Sequence, residues 1–179
     1  MKSSGLLKNR LALGQGMAGS RPIDELDSIR RESLTPGDRS VIRNLREKGA
    51  KTARERILEL LDENTFVEVD AFVKHRSGDY EMHMHTPLGD GVVAGHGKID
   101  GRRIVCFSQD YSVFSGTMGE MHAKKIVKVV EFAEKSQLPI IGIWDGDGQR
   151  AHEGVTSLGS TGELLDILVA CSGRIPMIS

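Results

Sequence analysis

The chain has 179 residues, and its 24 Lys+Arg against 25 Asp+Glu leave a formal net charge of -1. One domain is the natural prior for that length, and so even a charge balance disfavours a polyanionic partner such as nucleic acid. Apolar residues at 39% suffice for a core, yet no run approaches the roughly 18 apolar residues of a membrane span.

Residues 1–21 carry Lys2, Lys8, Arg10 and Arg21 with Ser3, Ser4 and Ser20 and no acid. They read as a flexible tail with a faint likeness to a mitochondrial transit peptide. Residues 22–62 read as a helical arm, with helical spacing at Leu26/Ile29 and Ile42/Leu45 broken by Thr35-Pro36-Gly37-Asp38. Thr52-Ala53-Arg54-Glu55 is a capping box that opens a helix through Ile57, Leu58, Leu60 and Leu61.

Residues 63–179 alternate strand and helix signals. Val67, Val69, Ala71 and Val73 recur with period two, which predicts a half-buried strand. Gly91–Ile99 and Arg103–Phe107 flank Asp100-Gly101, the dipeptide of a type I′ hairpin. Glu120–Lys135 sets Ala123, Ile126, Val127, Val130 and Ala133 on one stripe with Lys124, Lys125, Lys128 and Glu131 opposite, which predicts an amphipathic helix. Pro139–Trp144 is a short apolar strand; Ser160-Thr161-Gly162-Glu163 is a second capping box, expected to open a helix that ends at Gly173. Ile175–Ile178 then begins another apolar strand, giving a strand–helix–strand crossover. Because that strand has barely begun at Ser179, the chain is expected to be part of something longer.

Chemistry-bearing patterns are few. Cys106 and Cys171 lie far apart in apolar surroundings, which gives neither a zinc ribbon nor a disulfide framework. His83, His85 and His96 lack the carboxylate or cysteine that would complete a metal set, so no metal is expected and the histidines read as surface residues. No serine or cysteine nucleophile has a spaced base partner. What remains are two glycine turns at the ends of strands, Ser115-Gly116 and Asp145-Gly146-Asp147-Gly148-Gln149-Arg150. Each precedes a helix, and free main-chain N–H groups there could face one crevice and hold an oxyanion.

In order along the chain, Thr52-Ala53-Arg54-Glu55-Arg56-Ile57, Gly89-Asp90-Gly91-Val92-Val93, Phe107-Ser108-Gln109-Asp110 and Gly119-Glu120-Met121-His122-Ala123-Lys124-Lys125-Ile126 resemble the biotin-dependent acyl-CoA carboxyltransferases. The likeness is to the branch of propionyl-CoA carboxylase beta subunits and methylmalonyl-CoA decarboxylase alpha subunits, and it runs from about Leu26 to Ser179. It implies an α/β crotonase-superfamily fold, here most of the first of two homologous halves. The implied activity transfers CO2 from carboxybiotin to the α-carbon of a short-chain acyl-CoA. Decarboxylation of a malonyl-type CoA thioester is the alternative within the family's chemistry, and a non-catalytic paralogue or fragment that keeps the fold, with Asp147 in place of an oxyanion-hole glycine, is the alternative of another class.

The resemblance also implies partners and site residues. The cofactor would be biotin on a carrier protein, the partners a biotin carboxyl carrier or biotin carboxylase subunit and further copies of the chain. The compartment would be the cytoplasm, or the mitochondrial matrix. The oxyanion hole would use the main chain of Asp147 and Gly148, with Gly146, Gln149, Arg150, Ser115 and Gly116 contacting acyl-CoA. In the family this segment reads Asp-Ser-Gly-Gly-Ala-Arg, so Asp147 stands where a glycine is usual and Gln149 where an alanine is.

Overall fold

A computed structural model describes residues 21–179, so the tail and its transit-peptide likeness lie almost wholly outside the described residues. Two short helices, α1 (Pro22–Leu34) and α2 (Arg39–Glu47), lead in. Asp38 caps α2 by accepting hydrogen bonds from the Ser40 and Val41 amides. Helix α3 (Ala53–Leu60) carries the complete capping box, with Thr52 accepting from the Glu55 amide and the Glu55 carboxylate from the Thr52 amide. Helix α3 buries Ala53 and Ile57 against Val93, Ile104 and Cys106 on one face of the sheet.

The described residues form one five-stranded sheet in the order β1-β2-β3-β4-β5, with β1 at Val67–Glu68, β2 at Val92–Ile99, β3 at Arg102–Gln109, β4 at Ile140–Ile143 and β5 at Met177–Ile178. Strands β1, β2 and β3 pair antiparallel, whereas β3, β4 and β5 pair parallel. The β2–β3 hairpin turns at Asp100 (φ 50°) and Gly101 (φ 75°), both in the left-handed region that a type I′ turn requires. Helix α4 (Glu120–Ser136) connects β3 to β4, and α5 (Val155–Cys171) connects β4 to β5. Parallel neighbours demand such crossovers. The main core lies between the sheet and these two helices, around Val105, Phe107, Ile126, Val130, Ile140 and Leu164.

Three sequence expectations are corrected. The strand expected over residues 67–73 forms only at Val67–Glu68, with one further hydrogen bond from the Val69 amide to the Ala94 carbonyl, because Asp70 adopts φ 53° and turns the chain away. Helix α5 begins at Val155, so Ser160 is a buried residue of its interior and Ser160–Glu163 is not its cap. Lys125, placed on the solvated side of α4 by its neighbours in sequence, is 2% exposed. Its Nζ donates to the Val92 carbonyl at 2.7 Å and lies 3.8 Å from the Glu68 carboxylate.

Candidate active site

The carboxyl ends of β3 and β4 bring the two glycine turns into contact. Gly116 (φ 64°) and Gly146 sit back to back: a Cβ on Gly116 would overlap the Asp145 carbonyl oxygen, and one on Gly146 would overlap the Gly116 carbonyl oxygen. The Asp147 amide donates to the Ser115 carbonyl at 3.1 Å, the Met118 amide to the Gly148 carbonyl at 2.8 Å, and the Arg150 amide to the Met118 carbonyl at 2.9 Å. One turn is thus stitched along the other.

That stitching sets where each of the expected site residues lies. The Asp147 N–H, expected in the oxyanion hole, is engaged by the Ser115 carbonyl. Gly116 is buried against the other turn, where the lack of a Cβ lets the two backbones approach. The Gln149 side chain turns toward α5, where Nε2 donates to Thr161 Oγ1 at 2.8 Å and Oε1 accepts from Ser157 Oγ at 3.3 Å. Arg150, 1% exposed, is held wholly inside the protein. Its Nη1 donates to Asp90 at 2.5 Å and Glu153 at 2.8 Å, its Nη2 to the Thr117 carbonyl at 2.8 Å, and its guanidinium lies 4.7 Å from the Phe114 ring centroid. These contacts engage both terminal nitrogens of the side chain within the fold.

Within residues 145–150 the amides of Gly146, Gly148 and Gln149 enter no hydrogen bond among the described residues. Gly148 and Gln149 are consecutive, Gly148 has φ 96°, and a Cβ on it would meet nothing within 4 Å. The open face of the turn is here. Beside it the exposed Asp147 carboxylate accepts from the Tyr111 hydroxyl at 3.2 Å, so its charge is drawn sideways. Tyr111 and the half-buried Ser115 also line a cavity of about 680 Å³ between the turn and α1–α2.

The end of α4 cannot serve as a second oxyanion site. The Glu153 carboxylate already accepts from the Glu120 amide at 2.6 Å and the Asp90 carboxylate from the His122 amide at 2.9 Å, so the positive end of that helix is filled by the protein's own anions. His83 and His85 lie exposed around the turn at residues 79–84. The buried ionisable groups Asp90, His122 and Lys125 were not foreseen as part of the site; their sequence signal lay in the Gly89-Asp90-Gly91 and His122–Ile126 motifs, which do not by themselves reveal depth. Burial, with the nearby Arg150 charge, drives the His122 pKa down to about 3, so the ring is neutral. Burial likewise drives Lys125 down to about 8, partly opposed by Glu68.

Residues 44–179 match the model of the carboxyl transferase domain. The chain belongs to that family. Over 155 residues, 87% of this chain, it is 50% identical to the biotin-dependent acetyl-/propionyl-coenzyme A carboxylase beta5 subunit of Mycobacterium tuberculosis, of which it spans 28%. It is 46% identical over 148 residues, 83% of the chain and 27% of the relative, to the propionyl-CoA carboxylase beta chain of Saccharopolyspora erythraea. The transcarboxylase 12S structure with methylmalonyl-coenzyme A and methylmalonic acid bound superposes with a TM-score of 0.83 at 33% identity, covering 89% of this chain and 32% of that one. The carboxyl transferase domain thus has the crotonase-like α/β architecture that the motifs implied.

Proposed function

We propose that the chain is the acyl-CoA-handling part of a biotin-dependent carboxyltransferase, in which CO2 passes from carboxybiotin to the α-carbon of a short-chain acyl-CoA such as propionyl-CoA. The supporting observation is the pair of consecutive unengaged amides, Gly148 and Gln149, in a turn locked from behind and open at Gly148. A thioester enolate needs such donors aimed at the oxygen where charge develops, and each contributes roughly 3–4 kcal/mol in a preorganised site. The assignment shifts the hole by one residue relative to the Asp147–Gly148 pair expected from the resemblance.

When bound, carboxybiotin supplies both the CO2 and the ureido nitrogen that takes up the acyl α-proton. The residues of this chain fit that division of labour. The Asp147 carboxylate, next to Gly148 in the chain, accepts from Tyr111. Replacing the usual glycine by Asp147 leaves the Gly148 and Gln149 amides open, which favours an active protein over a non-catalytic paralogue. The partners would be a biotin carboxyl carrier or biotin carboxylase subunit and further copies of the chain, in keeping with the names of the biotin-dependent relatives and the hexamer of the 12S structure. Bacterial relatives support a cytoplasmic setting.

The test is calorimetric titration of propionyl-CoA into the full-length protein containing this segment, followed by a carboxyl-transfer assay with its biotinylated carrier. Micromolar binding and transfer are expected. Absence of binding to any short acyl-CoA overturns the reading.

A further inference from the structure

Resting on that reading, we propose that Gln109 is a positioning residue for the reaction: its amide, oriented by His122, fixes the Asp145 peptide and with it the aim of the Gly148 and Gln149 N–H groups. Gln109 ends β3 and is 5% exposed. Its Oε1 accepts from the Asp145 amide at 2.8 Å and would lie 3.2 Å from a Cβ on Gly146, directly under the turn. Its Nε2 donates to His122 Nε2 across 3.3 Å, while His122 Nδ1 donates to the Asp90 carbonyl at 3.0 Å. Only the neutral Nδ1–H tautomer satisfies both contacts. A primary amide completes the line at any pH, since it donates at one atom and accepts at the other. Arg56 also grips the turn at 2.5 Å, but it holds the Asp145 carboxylate and not the peptide plane.

Gln109→Glu keeps the shape and makes the donor depend on protonation. A protonated carboxyl donates to His122 Nε2 and accepts from the Asp145 amide as the glutamine does; an ionised one confronts the ring lone pair. The groups that touch this side chain are His122 of α4 and the Asp145 amide; Asp90, Arg150 and Lys125 in turn surround the His122 ring, and Asp110 follows Gln109 in the chain. In the full-length protein Gln109→Glu is expected to lower kcat about 100-fold at pH 8, the size of a lost oxyanion-hole donor, with little change in KM for propionyl-CoA. The loss should recover as the pH falls toward 6, whereas Gln109→Leu should show the same loss at every pH. A kcat unchanged in Gln109→Glu, or lowered equally at pH 6 and 8, overturns the proposal.

Amide hydrogen exchange gives a readout that needs no substrate. Gln109→Leu should speed exchange at Asp145 at least tenfold relative to the wild type, with the middle of α4 unaffected. Should Gln109→Leu fail to fold, Gln109→Glu at pH 8 replaces it with the same expected effect. Exchange at Asp145 that does not respond overturns the proposal. If exchange responds but the wild type binds no propionyl-CoA, the carboxyltransferase reading falls and the positioning of the turn stands.

Discussion

Arg150 Nη1 donates to Asp90 Oδ1 across 2.5 Å, joining residues 60 positions apart, and neither side chain reaches solvent. The same nitrogen donates to Glu153, whose other oxygen caps α4. One guanidinium therefore ties the loop before β2, the segment after β4 and the start of α4 into a single unit behind the open turn.

Removing that cation strands two buried carboxylates. Arg150→Leu should destabilise the fold by about 3–5 kcal/mol, the usual cost of breaking a buried ion pair from one side. Arg150→Lys should also weaken it, because a point charge cannot hold Asp90, Glu153 and the Thr117 carbonyl in one plane or stack on Phe114. Urea unfolding of the three proteins measures both effects.

The buried bases set a pH dependence. An unfolded His122 takes up a proton near pH 6.5, whereas the folded one resists until about pH 3. Over that window the unfolded state binds more protons, so stability is lost as the pH falls from 6.5 toward 3. Lys125, depressed from 10.5 to about 8, makes stability rise between pH 8 and 10.5 for the same reason, by up to about 1.4 kcal/mol per pH unit. Urea midpoints across these ranges should show both slopes, and Lys125→Met should flatten the alkaline one.

Two glycines in the paired turns should respond very differently to a methyl group. Gly148→Ala meets open space and only the left-handed backbone strain, about 1–2 kcal/mol. Gly116→Ala adds a collision with the Asp145 carbonyl to the same strain, for a total of about 3 kcal/mol or more. Thermal unfolding ranks them, with Gly116→Ala expected to show the lower midpoint.

The Asp147 carboxylate stands beside the amides assigned to the enolate. At several ångström in a solvent-exposed setting its repulsion is about 0.5–1 kcal/mol. Asp147→Asn should therefore raise kcat up to about fivefold, and Tyr111→Phe, which releases the carboxylate from its hydroxyl partner, should lower it. Steady-state carboxyl transfer by the full-length protein decides the sign.

Local signals survived into the fold where nearby residues determine the outcome. The Asp100-Gly101 hairpin and the Thr52 capping box formed as their chemistry dictates, since each depends on backbone conformations and hydrogen bonds within a few residues. The strand from Val67 failed after two residues because Asp70 bends the chain toward Lys128, 58 positions away. Lys125 went to the interior because Val92 and Glu68, on other elements, supply its partners. Helical spacing alone cannot report a partner that distant.

By itself the sequence determined the order of strands and helices, the family motifs and the location of the glycine turns, because periodicity, capping and turn chemistry are short-range properties. The tertiary structure decided which amides of those turns are free. The Asp147 N–H is engaged by the Ser115 carbonyl and the Arg150 side chain by Asp90 and Glu153, and only the pairing of two distant strand ends could reveal which hydrogen-bonding capacity is already spent inside the fold.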